Sequence, residues 1–197
     1  MPLQNRVDPS GDICLSSHRG KLMGNRGHLH NDRKELIRLW QLKRWIICVL
    51  DFKGRQREVM EKGKYTELFF LDEATALAAG HRPCAECQRD RLNSFKKYWT
   101  AANEISIKSL TEMDDYLHEE RMNPLKPTLT LGTLPDGVMV EYQFKTFLKN
   151  KNLLHEWSFG GYKDPIVLDP DLLVKVLTPM SVVRTIDAGY MPDYLKL

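Results

Sequence analysis

The sequence predicts an α+β fold: a small antiparallel sheet with flanking helices, then a smaller β-rich C-terminal region closed by a helix. Three observations lead there. Residues 45–71 hold two β-branched and aromatic runs, WIICVLDF and YTELFFL, separated by the turn sequences Lys53-Gly54-Arg55 and Glu61-Lys62-Gly63-Lys64. Residues 72–102 switch to helical signals, with an Ala-rich body stopped by glycine and a second segment of helical period. The last third returns to short strand-like runs broken by Pro and Gly. With 197 residues, 42% of them apolar, the chain can bury a real core without staples.

The elements follow in order. Residues 1–30 are rich in Gly, Ser, Asn and charge and read as irregular loop or extended chain. Asn31 or Asp32 caps a short helix over 33–42, whose apolar stripe is Leu36, Ile37, Leu39 and Trp40. Strands are expected over 45–52, 56–60 and 65–71, together a meander. Asp72 caps the next helix, Gly80 ends it, and Pro83 forbids its continuation. A second helix opens at Cys84 and runs to Ala102, with Leu92, Phe95 and Trp99 inward. Residues 103–137 form a connector with a helix near 111–121. Strands over 138–144 and 172–177, a turn over 157–162 and a closing helix over 181–188 complete the chain. This divides it into an N-terminal module (1–103), a connector (104–137) and a C-terminal region (138–197). Gly80-His81-Arg82-Pro83 is echoed by Gly189-Tyr190-Met191-Pro192, which reads as shared capping chemistry rather than a repeat.

Several function classes are excluded at this level. No run approaches 18 apolar residues, so no membrane-spanning helix is expected. The first 30 residues lack an apolar signal core, which points to a cytoplasmic protein with its four cysteines reduced. Charge is unevenly placed. Residues 1–97 carry 19 Lys/Arg against 12 Asp/Glu, and residues 98–197 carry 10 against 14. Within 19–57 the ratio is 11 to 3, the footprint of a phosphate-facing surface. Arg26, Arg33, Arg44, Arg55 and Arg57 are the expected phosphate contacts, with DNA as partner. The acidic half is expected to cover the sheet of the N-terminal module or to meet a protein instead.

Cys84-x-x-Cys87 is the strongest local signal. Two thiolates at this spacing chelate one soft divalent ion, with Zn²⁺ the default cofactor and four ligands the structural norm. The stretch 67–87, ELFFLDEATALAAGHRPCAEC, resembles half of the zinc module of Ada-type DNA repair proteins. That resemblance covers 67–87 alone and implies a zinc-bound α+β module associated with DNA. The family's upstream Cys-x-x-x-Cys pair, one member of which accepts a methyl group from a DNA phosphotriester, has no counterpart here. The nearest upstream thiol is the lone Cys48, and the nearest similar spacing is Cys14-x-x-x-His18. The favoured remaining ligands are Cys48 and His30, with Cys14 and His18 as the competing pair.

Two enzymatic readings compete. The deaminase signature ends in Pro-Cys-x-x-Cys but needs a His-x-Glu on the preceding helix, and that helix has no His. A metal-dependent nuclease reading uses loop 24–32, which gathers Arg26, His28, His30, Asn31 and Asp32, with His30 and Arg26 as catalytic candidates. A third reading is a structural zinc protein with a protein partner.

Overall fold

The computed structural model describes residues 2–56 and 58–196. It is α+β, with two six-stranded sheets and four helices. The first sheet contains β1 (Gln4–Val7), β2 (Ile13–Leu15), β3 (Leu22–Asn25), β4 (Ile46–Cys48), β5 (Leu68–Phe70) and β6 (Arg82–Pro83), in the order β2-β1-β5-β3-β4-β6. It is mixed rather than purely antiparallel, because β1 pairs parallel with β5 and β4 parallel with β6. One face is core: Val7, Leu68, Phe70 and Ile47 are fully buried. The alternate residues Arg6, Phe69 and Met23 are half-buried on the opposite face, as a period of two requires.

Residues 1–30, expected to be irregular loop or extended chain, supply three of these strands. Each is only 3 or 4 residues long, too short for alternation to register against the surrounding Gly and Ser. The Asp8 carboxylate turns β1 into β2 by accepting from the Ser10 and Asp12 N–H groups at 2.9 and 3.0 Å. The expected helix over 33–42 is absent. Asn31 closes a turn instead of capping a helix: its Oδ1 accepts from Arg33 N at 2.9 Å and Glu35 N at 3.1 Å. Ile37 N then bonds back to Leu29 O, leaving Ile37 and Leu39 exposed. Among the described residues of the expected return strand at 56–60 none is in a strand, and β3 takes the place beside β4 and β5.

The helices match expectation more closely. α1 (Glu73–Ala78) starts at Asp72, whose Oδ1 accepts from Thr75 N at 2.9 Å. It ends where Gly80, at φ +80°, bonds to Leu77 O while His81 N reaches Ala76 O. α4 (Met180–Asp187) ends identically: Gly189, at φ +116°, bonds to Ile186 O, and Tyr190 N to Thr185 O. The echo seen in the sequence is thus the same six-residue cap, and in both copies the following ring, His81 or Tyr190, is buried.

α2 (Arg89–Ala102) begins five residues later than Cys84, because residues 84–88 form a turn. α3 (Leu110–Met122) is capped by Ser109 and buries Met113 and Leu117. The second sheet is wholly antiparallel, in the order β11-β10-β9-β8-β12-β7. Its strands are β7 (Thr128–Thr130), β8 (Met139–Tyr142), β9 (Lys145–Asn150), β10 (Leu153–Ser158), β11 (Gly161–Val167) and β12 (Leu173–Val176). The C-terminal β-content is therefore larger than expected, since β9, β10 and β11 occupy residues 145–167, where only a turn over 157–162 is expected from the sequence. One apolar cluster joins Val7, Ile47 and Phe70 of the first sheet to Phe95, Trp99, Leu117 and Ile186 of the helices and to Val140 and Phe147 of the second sheet. Among the described residues, no helix is long and apolar enough to cross a membrane.

α3 is fastened to the first sheet by a buried fork. Arg82 Nε and Nη2 each donate to Asp114 at 2.8 Å, with both side chains almost inaccessible. Asp114→Ala strands the guanidinium, and the expected loss is about 3–5 kcal/mol of unfolding free energy, read by denaturant titration.

Candidate metal centre

Sheet pairing builds the site. In the parallel pair, Ile46 faces Arg82 and Ile47 faces Pro83. The Ile47 carbonyl accepts from Cys84 N–H at 2.9 Å and from Gln88 Nε2 at 2.9 Å. Cys48 and Cys84 are the next residues along, so they fall side by side. The chain then turns through Ala85 and Glu86, and the Glu86 N–H approaches Cys84 Sγ at 3.4 Å. This turn brings Cys87 back. The sulfur atoms of Cys48, Cys84 and Cys87 all lie within 4.8 Å of one another, the first two residues buried and the third half-buried.

Three thiols this close share protons. Cys84 is pulled down to about 5, first by a hydrogen bond from Cys48 and then by the Cys87 and Glu86 N–H groups, against the opposing effect of burial. Cys48 is pushed strongly up by that same bond and by burial, and Cys87 is pushed up chiefly by burial. Sulfurs around a tetrahedral zinc at about 2.3 Å sit about 3.8 Å apart, which falls inside the 4.8 Å that bounds this trio. The donor set fits a metal ion, and thiolates select soft or borderline ions over Mg²⁺ and Ca²⁺. Among the described residues no fourth His, Cys, Asp or Glu joins the group.

Cys48, Cys84 and Cys87 are thus brought together as expected, and His30 is not. The His30 ring is wholly buried elsewhere, with Nδ1 2.6 Å from Thr66 Oγ1 and Nε2 3.3 Å from the Glu61 carbonyl. The competing pair also lies apart from the trio: Cys14 sits on β2 and His18 bonds to Ser16. Loop 24–32 does not converge on a catalytic site. Arg26 is 1% exposed, donating from Nη1 to Gly11 O at 2.9 Å and from Nε to His81 Nε2 at 3.2 Å. Asp32 pairs with Lys62 and Asn31 with Glu35. Burial removes Arg26 from the expected phosphate contacts and both Arg26 and His30 from the catalytic candidates. Arg33, Arg44 and Arg55 are exposed, Arg55 in an ion pair with Glu86 beside the cysteines, and Arg57 lies outside the described residues.

Comparison with protein-family models, curated proteins and solved structures yields no match.

Trp45, just before β4, gathers a cluster of which the sequence pointed only to Arg26. The Arg26 and Arg121 guanidiniums both lie over the Trp45 ring, at 3.8 and 4.3 Å. Burial and mutual repulsion hold Arg26 down to about 9. His81 packs on Trp45 and Phe70 and is held well below its usual pKa by burial, with Arg26 and Arg121 adding to the shift. The folded state therefore keeps His81 neutral where an unfolded chain would protonate it. Stability is expected to fall as pH drops below about 6.5, by up to about 1.4 kcal/mol per pH unit from this residue. His81→Gln keeps an acceptor for Arg26 and does not titrate. Denaturant midpoints from pH 7 to pH 5 are expected to fall less steeply in this variant than in the wild type.

Proposed function

We propose that the chain is a zinc-binding protein that engages DNA through its basic N-terminal surface, in repair or processing. The convergence of Cys48, Cys84 and Cys87 carries this reading. Zinc is the ion that thiolate sites at a Cys-x-x-Cys turn most commonly take, and as a Lewis acid it holds three thiols ionised side by side. The chain's own contribution is positional. The Ile47 carbonyl fixes the β4–β6 register, and backbone N–H groups stabilise the sulfur charge. Three protein thiolates leave one position of a tetrahedral ion for a further ligand.

DNA is supported by exposed charge in the N-terminal stretch. Arg33, Arg38, Arg44 and Lys53 are exposed, and none makes an ion pair among the described residues. The resemblance of 67–87 to the Ada-type zinc module points the same way. A protein partner is the second reading, because the same stretch exposes Ile37, Leu39 and Leu42.

Elemental analysis is expected to find one zinc per chain. Cys48→Ser, Cys84→Ser and Cys87→Ser are each expected to lose it, whereas Cys14→Ser and His30→Ala retain it. Protein without zinc overturns the metal assignment. DNA affinity is expected to fall steeply with salt, and Arg33→Glu with Arg44→Glu is expected to reduce the log–log slope by about 1 for each contact removed. Zinc with no salt-dependent DNA binding selects the protein-partner reading.

A further inference from the structure

The outer face of the first sheet carries a feature that the metal and the basic stretch do not explain. Its strand registers place Cys14 opposite Arg6, Arg6 opposite Phe69, Phe69 opposite Met23 and Met23 opposite Cys48. Residues directly opposite across a sheet share a face. These five side chains therefore form one transverse row that ends at the three-thiol site. With strands about 4.8 Å apart, Phe69 lies about 10 Å from Cys48 and Arg6 about 14 Å.

A cavity of about 390 Å³ opens over the Arg6 end of this row, within the range of small-molecule sites. Its apolar wall is Leu3, Leu50, Val59 and Phe69, and its polar groups are Asn5, Arg6 and Arg19. Among the described residues no carboxylate lines it. Arg6 is pre-oriented: Nε donates to the His18 carbonyl at 2.6 Å, Nη1 donates to Asn5 Oδ1, and the guanidinium lies over the Phe69 ring at 4.8 Å. Arg19 is exposed and makes no ion pair among the described residues. Its loop rests directly on the sheet, since a Cβ on Gly20 would fall 2.4 Å from Phe70 O, and the Lys21 N–H bonds to that carbonyl at 2.8 Å.

Two guanidiniums held near each other without a counter-charge depress Arg6, after the larger effect of burial. An anion relieves that repulsion, and the forked donors of arginine match phosphate oxygens. The Arg6–Phe69 stack offers a planar platform of the kind on which bases stack. We propose that this cavity binds a nucleoside phosphate unit, with the phosphate on Arg6 and Arg19 and the base against the Arg6–Phe69 platform. The proposal deepens the nucleic-acid reading and rests on it. Its two cations, Arg6 and Arg19, are distinct from the exposed Arg33, Arg38, Arg44 and Lys53, and it puts the bound unit on the same sheet face as Cys48.

Calorimetric titration of the zinc-loaded chain with thymidine 5′-monophosphate, and separately with a short oligothymidylate, tests it. Arg19→Glu is expected to weaken binding by roughly tenfold or more, and Phe69→Ala by roughly fivefold or more. Both variants are expected to keep their zinc, and Arg19→Glu, at an exposed position, its melting temperature as well. The Arg33→Glu, Arg44→Glu pair, which reads the surface contacts, is expected to leave the monophosphate affinity unchanged. If both ligands bind in an Arg19-dependent way, the free nucleotide suffices. If only the oligonucleotide does, the unit is taken from a strand. Absence of binding by the wild type, or equal affinity in Arg19→Glu and Phe69→Ala, overturns the pocket even where zinc and the outer basic surface behave as proposed.

Discussion

The Ile47 carbonyl is the point on which the site depends. It is a single acceptor in the centre of a short strand, and it takes both the Cys84 N–H and the Gln88 side-chain amide at 2.9 Å. The first bond sets the parallel register that places Cys84 beside Cys48. The second fixes the far end of the Cys84–Cys87 turn, just before α2. β4 and β6 are only 3 and 2 residues long, so ladder bonds alone give this pairing little strength. Its reinforcement comes from outside the sheet. Arg82 of β6 is forked onto Asp114 of α3, and Arg121 of the same helix donates to the Gly80 carbonyl at 2.7 Å. α3 thus clamps the strand that presents the cysteines.

Positive charge is drawn inward around that clamp. Arg26, Arg82 and Arg121 are drawn inward by different means: a ring face, a carboxylate and a set of carbonyls. A guanidinium spreads its charge over a plane and is weakly hydrated, so it tolerates stacking on Trp45 better than an ammonium would. Part of the basic excess between 19 and 57 is therefore structural. Arg26 contributes to the charge count but presents no surface. The cations left at the surface sit on loops rather than on a single helix or strand.

This division decides how much the sequence could reveal. The helix caps were legible because their chemistry is local: Asp72, Gly80 and Gly189 act on residues within one turn. The Cys84–Cys87 pair was legible for the same reason. Cys48 could be named as a ligand only because it was the nearest thiol. What brings it to the Cys84–Cys87 pair is a parallel pairing between β4 and β6, a contact distant along the chain that leaves no local periodicity. The same holds for β1, β2 and β3. Their partners are mostly remote, and each is shorter than the window in which alternation can be counted. Loop 33–42 misled in the opposite direction. Leu36, Ile37, Leu39 and Trp40 keep a helical spacing, but Asn31 spends its side chain on a turn, Lys34 adopts φ +61°, and the stripe disperses. His30 was attractive as a ligand because it lies in a glycine-bounded loop, yet Thr66 satisfies its ring and draws it into the core.

The two faces of the first sheet then divide the work of the chain. The inner face, with Val7, Leu68, Phe70 and Ile47, is bonded into the common core and has no freedom to take a ligand. The outer face carries the thiols at one edge and paired guanidiniums towards the other, with Phe69 and Met23 between them. A strict period of two separates these roles, because every residue that packs is followed by one that faces out. Shifting any of these strands by one residue exchanges the faces, burying Arg6 and exposing Val7. The register that gives the core its apolar surface is therefore the same register that aligns the cysteines with the arginines. Folding stability and the outer-face chemistry are set by one geometric constraint.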